Sequence, residues 1–324
     1  MRSKRMTIWV VVMVVCMMAA VNIALADTFG TGGNQFSIDF VNISGDTGNL
    51  GSWSAGSGYT FTGVNHGNYR MGIYEISNDQ WNKFSSCLGV PVTGAPSNAY
   101  DDSPYWTSTN VPTNKLSWYE GAQFVNYLNT STGHQAAYKF TGTQGTADYT
   151  FSVWGPGDSG YDSDNPYRNS NAHYFMPTED EWVKAAYWNG TSLQTYASVG
   201  DVAPTQSGWN FHYYDEATTD PYGPWNVGSG SEELNGTFDM MGNVWELMES
   251  PYVSGDYTSG SSRGVRGGSS DDYADDYYLR SSCRTSDNPY YESYNMDFRV
   301  ASVPEPATLL LLGLGGLVLR KRRR

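Results

Sequence analysis

Between Phe238 and Leu247 the chain reads Phe-Asp-Met-Met-Gly-Asn-Val-Trp-Glu-Leu, an apolar segment interrupted at Gly242-Asn243 and carrying two carboxylates, Asp239 and Glu246. A tight turn at Gly242 would draw those carboxylates and the intervening carbonyls around one point. Hard oxygen ligands in that arrangement suit calcium; capping of turns by the same carboxylates is the alternative. The segment also has fixed company. Met176-Pro177-Thr178-Glu179-Asp180-Glu181-Trp182 precedes it, and Arg266-Gly267-Gly268-Ser269 and Asp297-Phe298-Arg299-Val300-Ala301 follow in order.

Three helix starts are written locally. Ser77-x-x-Gln80, Ser117-x-x-Glu120 and Thr178-x-x-Glu181 each have the form of a capping box, in which hydroxyl and carboxylate or amide satisfy backbone donors reciprocally. Trp118, Ala122, Val125 and Leu128 recur at helical spacing, and Trp182 and Ala186 share a face of the third helix, so all six are expected in the core. Residues 27 to 68 are rich in Gly, Ser, Asn and Thr, with alternating stretches at 36 to 41 and 59 to 61 that read as short strands. With 36 Gly and 14 Pro the remainder is predicted to form long loops, giving an α+β domain with few helices, short strands and one core.

The four ordered segments resemble the sulfatase-modifying-factor domain, the fold of formylglycine-generating enzyme, whose members read LPTEAEWE, DMxGNVWEW, RGGSW and GFRVA. Tyr69-Arg70-Met71-Gly72-Ile73-Tyr74-Glu75-Ile76-Ser77-Asn78 resembles the family's RIGKYEVTN, so the likeness spans 69 to 302. It implies a C-type-lectin-like topology and two structural calcium sites. One would use Asp239, Gly242, Val244 and Glu246, and the other Asn210, Phe211, Asp220 and Tyr222.

Catalytic members hold copper(I) between two thiolates that follow the RGGS segment, soft ligands for a soft ion. Here the two positions fall at or near Asp272 and Tyr277, in the run Ser269 to Tyr278 that contains no cysteine. Copper chemistry is therefore not expected. The family's substrate groove would be bordered by Asp271, Asp272, Tyr273, Tyr277 and Tyr278 and by the 288 to 294 segment with Tyr290 and Tyr291. A non-catalytic binding module for a polysaccharide or peptide is the preferred reading. The alternatives are an enzyme of altered chemistry on the same scaffold and an inert matrix protein.

Other constellations are weaker. Asp158, Asp162 and Asp164 lack the Gly and terminal Glu of an EF-hand and read as a solvated turn. Gly260-Ser261-Ser262-Arg263-Gly264 matches G-x-S-x-G outside a strand-to-helix context. The crowded Asp271, Asp272, Asp275 and Asp276 have carboxylates for glycoside hydrolysis, though a solvated acidic face needs no special spacing. His66, His134, His173 and His212 lack metal-ligand spacing. Cys87 and Cys283 either pair or remain separate thiols.

Both termini carry signals. Arg2, Lys4 and Arg5, an apolar run from Ile8 to Ala20, and Ala24-Leu25-Ala26 have the form of a secretory signal peptide over 1 to 26, with a retained membrane helix as the alternative. Val303-Pro304-Glu305-Pro306, an apolar run from Ala307 to Leu319 and five basic residues resemble the PEP-CTERM sorting signal over 303 to 324. That run is short for a permanent span. The resemblance implies secretion machinery and an exosortase-type enzyme as partners, transient membrane contact, and delivery to the envelope or extracellular matrix of a Gram-negative bacterium. The formal charge is −14; once the three N-terminal and five C-terminal cations are set aside, 11 of 19 basic residues face 33 acidic ones, a balance of −22. Such a surface disfavours nucleic acid.

Overall fold

A computed structural model describes residues 25–45, 47, 53–55, 59–61, 68–93, 106–211, 223–272 and 276–304. The five-stranded sheet has the order β1 (Leu25–Phe29), β2 (Phe36–Ile43), β5 (Tyr69–Gly72), β13 (Ala301–Ser302), β8 (Tyr174–Phe175), all antiparallel. The Gly/Ser/Asn-rich N-terminal stretch thus supplies two strands of this sheet. In β2, Phe36, Ile38 and Phe40 point inward at alternate positions, as a half-buried strand requires. A four-stranded sheet, β11 (Thr285–Asp287), β10 (Arg263–Arg266), β9 (Trp245–Pro251), β12 (Met296–Asp297), closes the other side, with β12 parallel to β9. Two short hairpins, β3 (Trp53–Ala55) with β4 (Tyr59–Phe61) and β6 (Lys139–Thr141) with β7 (Thr150–Ser152), complete the strands.

The helices are α1 (Asn78–Leu88), α2 (Trp118–Ser131) and α3 (Glu179–Tyr187), and each begins with the reciprocal capping box that its sequence predicts. The ring of Trp81 in α1 lies parallel to Phe124 in α2, with centroids 6.0 Å apart. Phe124 meets Phe298 edge-on at 5.5 Å, so both helices are fastened to the segment that ends in β13. Trp118, Ala122, Val125 and Leu128 are all fully buried.

The third helix differs from a one-faced pattern. Trp182 and Ala186 are buried as expected, but so are Val183, Ala185, Tyr187, Glu179, Glu181 and Lys184. Its charged residues tolerate this because each has a partner: Glu179 takes Arg266 and Arg284, Glu181 takes Arg168, and Lys184 donates to the Gly45 carbonyl at 2.6 Å. Cys87 and Cys283 are separate free thiols.

Among the described residues no helix is long and apolar enough to cross a membrane. Of the expected signal peptide over 1 to 26, residues 1 to 24 lie outside them, while Leu25 and Ala26 open β1 opposite Phe40 and Asp39; of the sorting signal, residues 305 to 324 lie outside them.

Candidate functional site

The Asp239 to Trp245 segment is buried throughout. Gly242 has φ +89°, and a Cβ there would stand 2.3 Å from the Asn210 carbonyl oxygen, so no other residue fits without moving that loop. Asn210 and Asn243 are joined twice, by the Asn243 backbone N–H to the Asn210 carbonyl at 2.7 Å and by the Asn210 side-chain amide to Asn243 Oδ1 at 3.0 Å. Two segments expected to form separate calcium sites therefore meet side by side. Phe211 is buried in the core; Asp220 and Tyr222 lie outside the described residues.

Glu246 is fully buried, and its carboxylate faces Arg299. Arg299 Nε donates at 2.6 Å and Nη2 at 2.5 Å, while Trp182 Nε1 adds a third hydrogen bond at 2.8 Å. The remaining Arg299 donors reach the carbonyls of Gly72, Ile73 and Phe238 at 3.0 to 3.1 Å, which satisfies all five guanidinium N–H groups. Asp239 is buried too, and accepts the Gly228 backbone N–H at 2.6 Å. Burial raises its pKa to about 6.

Calcium through Glu246 does not fit this donor set. A dication would have to share a carboxylate already neutralised bidentately by a guanidinium. The carbonyls of Gly242 and Val244 alone make a poor site for an ion that takes six to eight oxygens. Among the described residues no group of three His, Cys, Asp or Glu side chains is placed to hold a metal. Of the four residues expected as calcium ligands, Glu246 is paired with Arg299, and Asp239 lies close enough for that charge to act on it.

Around that guanidinium gather further buried acids that motif reading had not singled out as site residues. Glu75 accepts from the Asn243 side-chain amide at 2.8 Å, and its other oxygen has no partner. Asp297, at the position where the family motif has glycine, is wholly buried with neither oxygen in a hydrogen bond. Burial drives the pKa of both well above the usual carboxylate range. The departure from GFRVA at Asp297 was the available signal.

The described residues expected to border the groove gather near the end of β10 in the four-stranded sheet. Gly267 and Gly268 both have positive φ, and a Cβ on Gly268 would meet Leu279 at 2.9 Å, so the short 3-10 turn Tyr277–Leu279 presses onto the end of β10. Asp272 accepts from the Ser269 N–H and hydroxyl at 2.6 and 3.0 Å, and burial raises its pKa. It closes its own loop. Asn295 donates to Ser269 Oγ at 3.3 Å, joining the 269 to 272 loop to the 288 to 295 segment. Asp271 is half-buried beside Asp272; Tyr273 is outside the described residues. Tyr278 packs edge-on against Trp245 at 5.6 Å. Tyr277, Tyr290, Tyr291 and Tyr294 stand out, 46 to 63% exposed.

Cys283 is the cysteine nearest this region. It is 6% exposed, and burial raises its pKa to about 11, so it is a protonated packed thiol at neutral pH.

A model of the sulfatase-modifying factor enzyme 1-like domain matches residues 40–303. The chain belongs to that family. A PEP-CTERM protein-sorting motif matches residues 302–324, which marks the protein for recognition by an exosortase-type system, export, and association with the envelope of a Gram-negative bacterium. Among solved structures, Treponema denticola variable protein 1 has a TM-score of 0.58 at 19% identity, over 86% of this chain and 99% of that one. CarF gives 0.58 at 20% identity, over 83% and 99%. PvdO from Pseudomonas aeruginosa gives 0.54 at 13% identity, over 86% and 98%. At these identities the likeness establishes the α+β fold of the formylglycine-generating enzyme type. No curated protein matches the chain significantly.

Proposed function

We propose that the protein is an exported, non-catalytic binding module that meets its ligand through the surface bordered by Asp271 to Tyr278 and Asn288 to Tyr294. One observation carries the reading. Where the oxidase reaction needs two soft thiolates, this segment offers Ser269, Ser270, Asp271 and Asp272, while Cys283 is buried and protonated. The same surface presents Tyr277, Tyr290, Tyr291 and Tyr294 to solvent, and tyrosine supplies large contact area together with a polar tip. The sorting motif supports delivery to the extracellular matrix, where a polysaccharide or peptide ligand would be met.

Export would remove residues 1 to 26 and leave Asp27 first. That cut would shorten β1 by Leu25 and Ala26, while Asp27, ion-paired with Arg70 at 2.6 Å and accepting from the Tyr174 hydroxyl at 2.9 Å, would keep the new terminus fastened to β5 and β8.

The test is a glycan and peptide array probed with the purified protein and with Tyr290→Ala/Tyr291→Ala. Loss of the wild-type signals in the double variant is expected. Copper-dependent formation of formylglycine in a cysteine peptide, abolished by Cys283→Ser, would overturn the reading.

A further inference from the structure

The strand register places both outer ends of the described chain at one end of the five-stranded sheet. β1 starts at Leu25 opposite Phe40, which pairs with Gly72 of β5, and β13 ends at Ser302 opposite Arg70 of β5. β1 and β5 run in the same direction and β13 runs against them, so β1 starts from, and β13 ends toward, the end marked by Tyr69. Three ladder steps separate β1 from β13, roughly 14 Å at about 4.8 Å per step.

In sequence each of these ends leads to an apolar run. Ile8 to Ala20 stops five residues before Leu25, and Ala307 to Leu319 starts three residues after Pro304. Fully extended, five residues reach at most about 18 Å and three about 11 Å. The polar layer on each side of a bilayer is roughly 5–8 Å deep. Either run, once in lipid, therefore holds the same end of the sheet close to the headgroups, the C-terminal one most tightly.

The chemistry of that end suits such contact. Leu25 and Val303 are each 39% exposed. Asp27 is neutralised by Arg70 at 2.6 Å. His173, whose carbonyl accepts the Val303 N–H at 2.9 Å, stacks on exposed His134 with ring centroids 4.5 Å apart. Burial lowers the His173 pKa to about 4, so the ring is uncharged at neutral pH. Asp162 and Asp164 line the same cavity as Val303 and Pro304, which disfavours anionic headgroups and leaves zwitterionic ones.

Helix α2 sets the distance to the tyrosine-bearing loop. At its start, the Lys115 N–H donates to the Ser293 carbonyl at 2.9 Å and the Asn114 side-chain amide to the Tyr294 carbonyl at 2.8 Å. At its end, the Asn129 side chain holds the backbone of His173 and Tyr174 at 2.8 to 3.0 Å. Fourteen residues at about 1.5 Å each put roughly 20 Å between the two.

We propose that the Tyr69 end of the sheet, where Ser44, Asn68 and His134 are exposed around the two chain ends, is the surface by which the unprocessed chain rests on a zwitterionic bilayer, with the tyrosine-bearing loop turned outward. This placement depends on the export signals and is independent of what the tyrosines bind.

The test reconstitutes the full-length chain, in a Cys16→Ser/Cys87→Ser background, in phosphatidylcholine and phosphatidylethanolamine vesicles that carry a nitroxide on the headgroup. A fluorophore is attached in turn at Ser44→Cys, Asn68→Cys, His134→Cys and Tyr291→Cys. Quenching at the first three at least threefold stronger than at Tyr291→Cys is expected. The three lie on separate elements, so two that fold suffice. Equal quenching at all four positions, or stronger quenching at Tyr291→Cys, would overturn the placement alone. A full-length chain that does not float with the vesicles would overturn it together with the export reading.

Discussion

Replacing Glu246 by alanine separates the two interpretations of the buried motif. In the structure the substitution strands the Nε and one Nη2 proton of Arg299 and the Trp182 Nε1 proton in a fully buried site. Removing one partner of a buried ion pair costs about 3–5 kcal/mol, because an uncompensated charge remains. For a domain of this size each kcal/mol moves Tm by roughly 2–4 °C, so Glu246→Ala should melt roughly 6–20 °C below wild type. The loss should be identical with and without a calcium chelator, and wild type should be indifferent to chelation. Glu246→Leu/Arg299→Met, which removes both charges, should recover part of the loss, giving a coupling energy in a double-mutant cycle of chemical unfolding. The reasoning fails if chelation lowers the wild-type Tm and Glu246→Ala abolishes that difference. It fails equally if the single substitution costs less than about 1 kcal/mol, below the range for a broken buried pair.

Three further outcomes follow from the same geometry. Burial lifts the Glu120 pKa from 4.5 to about 8, so the folded state binds a proton that the unfolded chain has released between those values; stability is favoured below 4.5 and falls as pH rises toward 8. Glu120→Gln should therefore gain stability relative to wild type on going from pH 5 to pH 8, by up to about 1.4 kcal/mol per pH unit, and a constant difference would refute the assignment. Cys283→Ser should leave array binding unchanged, since the thiol is packed beneath the surface; altered binding would place it in the site. Mass spectrometry of protein recovered from its native host should show a chain starting at Asp27 and lacking Arg320 to Arg324, and intact C-terminal arginines on the mature protein would contradict sorting.

The capping boxes at Ser77, Ser117 and Thr178 were legible because their hydrogen bonds close within four residues. Which faces of α3 are buried was not, because its partners Arg168, Arg266 and Arg284 come from other parts of the chain. The motif around Asp239 and Glu246 shows the same limit. Carboxylates and carbonyls at that spacing suit a dication or a guanidinium equally, and only the parallel register of Asp297 with Glu246 brings Arg299 beside the carboxylate. Asp162 and Asp164 do sit in a turn, as their local sequence predicts.

The charged residues of the recognisable segments share one structural role. Glu179 and Glu181 of the helix-start motif, Glu246 with the nearby Glu249 on β9, Arg266 of the Arg-Gly-Gly motif and Arg299 of the last motif all meet in buried ion pairs, together with Arg168 and Arg284. Buried pairs of this kind are poor sources of net stability but are costly to break one partner at a time. A chain of this frame is therefore expected to keep them whatever its chemistry, since each single loss costs about 3–5 kcal/mol. These motifs thus report on the frame. The 269 to 278 segment carries none of those charges and contains no cysteine, and the resemblance puts the thiolate positions at or near its Asp272 and Tyr277. A graft of residues 269 to 278 carrying cysteines at 272 and 277 should therefore fold with the wild-type Tm within a few degrees. A collapse of stability in the graft would show that the segment belongs to the frame after all.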